Sequence, residues 1–241
     1  MKIAVTGKGG SGKTIIAANL AKLLAERFSV LAVDADSSLN LAAVFDHEDL
    51  TPLNEMKSLV DERARIDGGL IKLNPYVKDL VEKYSTKINP NLRLLVMGTV
   101  EQAGSGCLCP EYSLLRAMLQ ELVLDRGEYV VIDLEAGLEP MSRGTIKNVD
   151  SILIITEPSY GSVQVANKLL KFSDELGIKN SHIIANKIRN QDELQYLSDR
   201  FSVFHEIPYS EDILKSAMTQ EFFQVNEFNK AIKELSHKLI H

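Results

Sequence analysis

The sequence predicts a single α/β domain with a mostly parallel central sheet and helices on both of its faces. Short apolar runs alternate with segments of helical periodicity along most of the 241 residues, which is typical of successive βαβ units. A glycine-rich turn joins the first apolar run to the first helical segment. Two later runs end in aspartate, at the edge where open parallel sheets place their ligands.

The apolar runs set the expected order of the elements. They predict strands at residues 3–5, 30–33, 92–98, 129–133, 151–156 and 182–187, with a short last strand before Pro208. Helical periodicity follows the first strand and returns at residues 110–124, where Pro110 suits a first helical turn. An apolar stripe near the C-terminus predicts a last helix and consists of Phe228, Ile232, Leu235 and Leu239.

The composition is that of one globular domain. The chain is 45% hydrophobic and 25% charged, and its length suits one core over residues 1–241. Residues 46–91 are charge-rich and weakly patterned, so we expect a surface insertion there, part helix and part loop. No apolar run is long enough to span a bilayer and the first strand stands where a signal peptide would be, which predicts a cytoplasmic protein without stable membrane association. The net charge of −6 argues against nucleic acid as a partner.

The turn after the first strand carries a phosphate-binding motif. Residues 7–14 have the sequence G-K-G-G-S-G-K-T and fit the pattern G-x-x-x-x-G-K-[ST] between a strand and a helix. Glycines let backbone N–H groups point at phosphate oxygens, and the helix N-terminus adds its dipole. A plain glycine turn is the alternative. The motif predicts a P-loop NTPase fold whose nucleotide contacts Gly9, Gly10, Ser11, Gly12, Lys13, Thr14 and Ile15, with Lys13 at the β- and γ-phosphates and Thr14 on Mg²⁺.

Lys8 places a second cation in this loop. In so short a loop it has few ways to reach the same γ-phosphate as Lys13, but it can project to a nucleotide bound by a facing subunit. A solvated loop lysine is the alternative. The sequence K-G-G-x-G-K-T resembles the deviant Walker A motif of the MinD/ParA and nitrogenase iron protein class. That resemblance implies a nucleotide-sandwich homodimer in which Lys8 acts across the interface.

Three aspartates at strand ends are candidates for the hydrolytic chemistry. Asp36 is expected to hold the attacking water, and Asp34 to support the Mg²⁺ shell. Asp133 is expected to be the Walker B carboxylate that orders Mg²⁺, with Gly137 beyond it in a switch segment. Capping of a following helix is the alternative for each aspartate.

The predicted base site favours adenine. Asn186 and Lys187 begin an N-K-x-D-like segment, but position 189 is arginine, which cannot accept from the guanine ring. ATP is therefore the expected nucleotide, with the backbone around Pro208 beside the adenine. A simple turn at Pro208 is equally compatible with the sequence.

The only two cysteines, Cys107 and Cys109, are separated by one residue. Glycine, serine and proline surround them, so a deep core position is not expected, and a disulfide across so small a ring would be strained. Two thiolates are half of a tetrahedral site, and a twofold dimer would supply the other two. The pair therefore predicts a metal ion held between subunits. Incidental thiols and a [4Fe–4S] cluster are the alternatives.

Longer motifs resemble one family within this class. The segment G-C-L-C-P-E at residues 106–111, D-L-E-A-G-L-E at 133–139 and T-E-P-S at 156–159 together resemble the CooC-type ATPases, maturation factors for nickel-containing carbon monoxide dehydrogenase. The resemblance implies an ATP-hydrolysing metallochaperone that holds one Ni²⁺ or Zn²⁺ between four thiolates. Its implied partner is the dehydrogenase apoprotein. By motif, Lys8, Lys13, Thr14, Asp36 and Asp133 match the ATPase positions, and Cys107 and Cys109 the metal pair. Pro140 stands where the family often has histidine.

A different class remains open on the sequence. A positioning ATPase acting at a membrane or on DNA would use an amphipathic C-terminal helix, and Lys230, Lys233 and Lys238 lie near the C-terminal apolar stripe. The competing interpretation is a helix packed on its own sheet.

Overall fold

A computed structural model describes residues 1–66, 68, 70–98, 109–124, 128–134, 149–219 and 225–240, with residues 123–124 and 217–219 described by backbone alone. Within these residues the main sheet has eight strands in the order β10-β9-β8-β1-β7-β2-β6-β5. Their bounds are β1 (Lys2–Gly7), β2 (Val30–Ala35), β5 (Thr86–Asn89), β6 (Leu92–Val96), β7 (Tyr129–Leu134), β8 (Ser151–Thr156), β9 (Ser181–Ile188) and β10 (Val203–Pro208). A separate ribbon pairs β3 (Arg65–Ile66) with β4 (Leu70–Ile71).

The sheet confirms the predicted parallel architecture. Every pair of neighbouring strands in it is parallel except β5 and β6, which are antiparallel. All six predicted apolar strands are present. β5 was not predicted because its sequence T-K-I-N is mostly polar, which suits an edge strand with only one neighbour.

Helices cover both faces of the sheet. They are α1 (Lys13–Leu24), α2 (Asn40–Val44), α3 (Lys57–Ala64), α4 (Leu80–Tyr84), α5 (Pro110–Leu124), α6 (Tyr160–Glu175), α7 (Gln191–Ser198), α8 (Glu211–Thr219) and α9 (Asn226–Ile240), with a 3₁₀ turn at Leu53–Glu55. Along β1, Ile3 and Val5 pack against α1 and α9, whereas Ala4 belongs to the core under α3, α5 and α6. This alternation divides the interior into two apolar layers.

The C-terminal stripe is part of the core. Phe228, Ile232 and Leu235 on α9 are buried against α1 and the sheet, and Leu239 packs at the edge of the same cluster. The interpretation as a helix packed on its own sheet is confirmed, so the stripe offers no support for membrane attachment. No helix in the described part of the chain is long and apolar enough to cross a bilayer.

Part of the predicted surface insertion also belongs to the core. Leu53, Val60, Leu80 and Val81 lie within residues 46–91 and are buried in the layer under α5. The charges that interrupt this segment hid its apolar spacing. Helices α3 and α4 therefore pack against the rest of the domain and contribute to its core.

Candidate nucleotide site and cysteine segment

The loop between β1 and α1 has the backbone of a phosphate-binding turn. Gly10 and Gly12 have φ of 79° and 93°, a region that L side chains rarely adopt. No side chain caps the first turn of α1, so its N–H groups stay available to an anion. A Cβ on Gly12 would lie 2.6 Å from Nδ2 of Asn186. The turn therefore has the geometry of the predicted phosphate cradle.

Lys13 makes an ion pair with Asp36 inside this site. The Lys13 ammonium donates a short hydrogen bond to the Asp36 carboxylate, and both side chains are buried. Burial alone would raise the pKa of Asp36, but the hydrogen bond from Lys13 and those from Ser38 bring it below its usual value. A bound phosphate would compete with Asp36 for the Lys13 ammonium.

Asp34 and Asp133 lie side by side on β2 and β7, paired in register and both fully buried. Burial raises the pKa of Asp133 to about 7, although the Lys13 charge opposes the shift. Burial also raises the pKa of Asp34 to about 6, against hydrogen bonds from backbone N–H groups. Asp34 accepts from Ala42 at 2.9 Å and Asp36 at 3.2 Å, so it fixes the start of α2. Its part in the Mg²⁺ shell stays a prediction.

The surroundings of Asp133 are those expected of a magnesium ligand. Its carboxylate oxygens are fully buried and make no hydrogen bond of standard geometry with the described residues, and the nearby Thr14 hydroxyl only partly offsets the effect of burial, an unusual state for a buried acid. It faces Lys13 and Thr14 at the edge of the phosphate cradle. A carboxylate and a hydroxyl beside phosphate oxygens are the hard donors that Mg²⁺ takes. Asp133 and Thr14 would hold the ion, which when bound neutralises phosphate charge.

Asn186 and Lys187 contact the loop backbone. Asn186 donates to the carbonyl of Ser11 at 2.7 Å, and Lys187 donates to that of Gly10 at 2.6 Å. Lys187 also pairs with Glu157 at 3.0 Å and has φ of 61°, an uncommon backbone state for lysine. The sequence analysis assigned these residues to the base and missed Glu157 as the partner of Lys187. Only the charge of Glu157 in the T-E-P-S segment could have indicated it.

An apolar slot lies beside the loop where a base would be bound. It is lined in part by Gly12, Ile15, Asn186, Pro208, Tyr209 and Leu214. The Arg189 guanidinium stacks 4.4 Å from the Tyr209 ring centroid and lies 3.4 Å from Glu193. Position 189 therefore presents a cation where a guanine site needs a carboxylate. Pro208 lines this slot, and its place beside the adenine stays a prediction.

Cys109 immediately precedes α5. Its sulfur accepts a hydrogen bond from the N–H of Tyr112 at 3.4 Å, and its carbonyl accepts from Ser113 at 3.1 Å. The residue is half-buried. A helix N-terminus favours a thiolate, the form that binds metal. Cys107, Gly137 and Pro140 lie outside the described residues, and among those described no group of three or more His, Cys, Asp or Glu side chains is placed to hold a metal ion.

The parallel sheet, the glycine cradle and the buried strand-end aspartates define a P-loop nucleotide-binding protein. The chain belongs to the family of the CobQ/CobB/MinD/ParA nucleotide binding domain, whose sequence profile matches residues 2–222. It is an ATPase of the MinD/ParA class.

Individual relatives agree with this assignment. An uncharacterized ATP-binding protein of Methanocaldococcus jannaschii is 41% identical over 247 residues, covering 98% of this chain and 95% of its own. The carbon monoxide dehydrogenase accessory protein CooC of Rhodospirillum rubrum is 38% identical over 252 residues, covering 100% of this chain and 95% of its own. The resemblance to the CooC-type ATPases is thus confirmed.

Solved structures confirm the fold. The cell division ATPase MinD of Pyrococcus furiosus has a TM-score of 0.72 at 21% identity and covers 99% of this chain and 98% of its own. MinD of Pyrococcus horikoshii, complexed with Mg-ADP, has a TM-score of 0.66 at 18% identity and covers 99% of this chain and 96% of its own.

Proposed function

We propose that this protein is a cytoplasmic, ATP-hydrolysing metallochaperone that forms a homodimer with nucleotide and metal and assists nickel insertion into a carbon monoxide dehydrogenase apoprotein. One observation carries the proposal. The C-x-C segment ends at the N-terminus of α5, with the Cys109 sulfur on a backbone N–H, in a chain 38% identical to a carbon monoxide dehydrogenase accessory protein.

The hydrolytic residues have separate roles in this proposal. Lys13 leaves Asp36 and binds the β- and γ-phosphates, so the charge that develops on the phosphoryl oxygens meets a fixed cation. The Asp36 carboxylate, released from its ion pair, accepts a hydrogen bond from the attacking water and orients it in line. Lys8 adds a second cation from the facing subunit. Thr14 and Asp133 hold the magnesium ion.

The metal cargo connects the two subunits. Cys107 and Cys109 of each chain supply two thiolates, and the twofold axis completes four. Because nucleotide closes the same dimer through Lys8, ATP binding and hydrolysis are coupled to the affinity of the dimer for the metal. Tetrathiolate geometry suits Zn²⁺, and Ni²⁺ would flatten it.

Metal analysis of anaerobically prepared protein tests this function. Cys107→Ser and Cys109→Ser should lose stoichiometric nickel or zinc and fail to activate the dehydrogenase apoprotein. Asp36→Asn is the matched control, because it should still bind nucleotide and metal while losing most of its ATP hydrolysis. Stoichiometric metal retained by both serine variants would contradict the proposal. Visible absorption typical of iron–sulfur protein would favour the cluster carrier instead.

A further inference from the structure

The backbone of Asp34 is fixed in the middle of the main sheet. Asp34 lies on β2, paired in register with Val96 on β6 and with Asp133 on β7. Its carbonyl accepts the N–H of Met97 at 2.8 Å, and the residue is fully buried. Groups that bond to its carboxylate are therefore held in place relative to the sheet.

The Asp34 carboxylate contacts both ends of the turn that follows β2. Its Oδ1 accepts the N–H of Asp36 at 3.2 Å, and its Oδ2 accepts the N–H of Ala42 at 2.9 Å. Ala42 lies in the first turn of α2, whose N-cap residue Leu39 makes no side-chain capping bond. The orphan N–H groups at a helix start need an acceptor. Asp34 supplies one from the neighbouring strand and so ties α2 to β2.

Asp36 lies on the turn that Asp34 holds. Its Oδ1 accepts the N–H of Ser38 at 2.9 Å, and its carbonyl accepts the N–H of Leu39 at 3.2 Å. These bonds fix the Asp36 side chain relative to the turn, and the bonds to Asp34 fix the turn relative to the sheet. Because β7 lies between β2 and β1, which leads into the phosphate loop, the same sheet places the Asp36 carboxylate relative to that loop.

We propose that Asp34 is a positioning residue for Asp36 in ATP hydrolysis. The inference rests on the proposed function, in which Asp36 orients the attacking water. In-line attack tolerates little misplacement, and a shift of about 1 Å costs up to about 100-fold in rate. By holding both ends of the turn, Asp34 keeps the Asp36 carboxylate where that water is bound. The sequence predicted Asp34 in the Mg²⁺ shell instead, and the two roles imply different dependence of the rate on Mg²⁺.

The test is a double-mutant cycle on single-turnover ATP hydrolysis. Asp34→Asn keeps the size of the side chain but leaves one acceptor oxygen, and its NH₂ group would meet a backbone N–H. One end of the turn is therefore released. We expect hydrolysis to slow roughly 30-fold, with ADP affinity within about threefold and the half-maximal Mg²⁺ concentration within about twofold of wild type. In the Asp36→Asn background the same substitution should cost less than about threefold, since coupled residues are not additive.

Ser173→Ala controls for a general loss of stability. The Ser173 hydroxyl is buried on α6, donates to the carbonyl of Leu170 at 2.9 Å and accepts from the hydroxyl of Ser181 at 2.8 Å. Its removal should lower the thermal midpoint and leave the rate of hydrolysis unchanged. A slower rate in Asp34→Asn is then not a consequence of lower stability alone.

Amide hydrogen exchange of the wild-type protein tests the same contacts without a substitution, and it applies even if Asp34→Asn does not fold. The exchange of the Asp36 and Ala42 N–H groups is measured without nucleotide and with Mg²⁺ and a nonhydrolysable ATP analogue. If Asp34 positions Asp36 during hydrolysis, both groups should exchange no faster in the complex. A carboxylate that turned towards Mg²⁺ would leave them and speed their exchange.

Five results would overturn the inference. They are a wild-type rate for Asp34→Asn, an equal loss of rate in both backgrounds, a rate restored by excess Mg²⁺, an equal loss in Ser173→Ala, and faster exchange of the Asp36 and Ala42 N–H groups in the complex. Each of them leaves the proposed function standing. A wild-type rate for Asp36→Asn would instead contradict the proposed role of Asp36, and the role of Asp34 with it.

Discussion

The ionisation of Asp133 should dominate the pH dependence of stability in the nucleotide-free protein. Its carboxylate is fully buried, and because the Lys13 charge and the Thr14 hydroxyl offset only part of the effect of burial, its pKa is raised to about 7. A shift of about three units from the ordinary aspartate value corresponds to about 4 kcal/mol. Between about pH 4 and 7 the folded chain binds a proton that the unfolded chain has released. The free energy of unfolding therefore falls as pH rises through that window.

Asp133→Asn removes this ionisation. At pH 8 the substitution should raise the free energy of unfolding by about 2 to 3 kcal/mol. This is less than the full cost of ionising Asp133, because the asparagine amide is also buried with few partners. The increase should shrink towards zero near pH 4.5. Urea denaturation of both proteins at several pH values measures the difference. Asp174→Asn, an exposed substitution on α6, is the control and should stay within about 0.5 kcal/mol. A difference that does not vary with pH would refute a raised pKa for the buried Asp133 carboxyl group.

Two further predictions concern the phosphate cradle. Asp36→Asn should lower the thermal midpoint without nucleotide, because it leaves Lys13 buried without a counter-charge. Saturating Mg-ADP should restore that midpoint, whereas ATP hydrolysis should stay at least about 100-fold slower than in the wild type. If Mg-ADP does not restore the midpoint, Lys13 does not move from Asp36 to the phosphates. Lys187→Met should weaken ADP binding by about tenfold, because the bonds to Gly10 and Glu157 are lost. Calorimetry measures the affinity. An unchanged affinity would contradict a role for Lys187 in fixing the phosphate loop.

Local sequence signals were enough to predict the sheet and the phosphate loop. Parallel strands are buried on both faces, so β7 and β8 appear as short apolar runs of strand length that are rich in β-branched residues. The loop needs glycine at positive φ, and Gly10 and Gly12 have it. β5 gave no such signal because an edge strand tolerates polar residues on both faces.

Contacts between distant residues could not be predicted. The Lys13–Asp36 ion pair joins two residues that the sequence analysis had placed in different roles, and nothing local indicates that they meet without nucleotide. Lys187 and Glu157 lie 30 residues apart, and their pairing depends on β8 and β9 being neighbours. The strand order brings these groups together, and it becomes known only when the sheet is assembled.

The central claim is that two copies of this chain meet face to face around one metal ion. The most direct test is the mass of the protein in solution, by light scattering, together with its metal content, in the presence of nickel and a nonhydrolysable ATP analogue. The account predicts a dimer with one metal ion for two chains in the wild type, and loss of the bound metal in Cys109→Ser. A wild-type monomer under these conditions, or a dimer in which each chain binds its own metal ion, would contradict it.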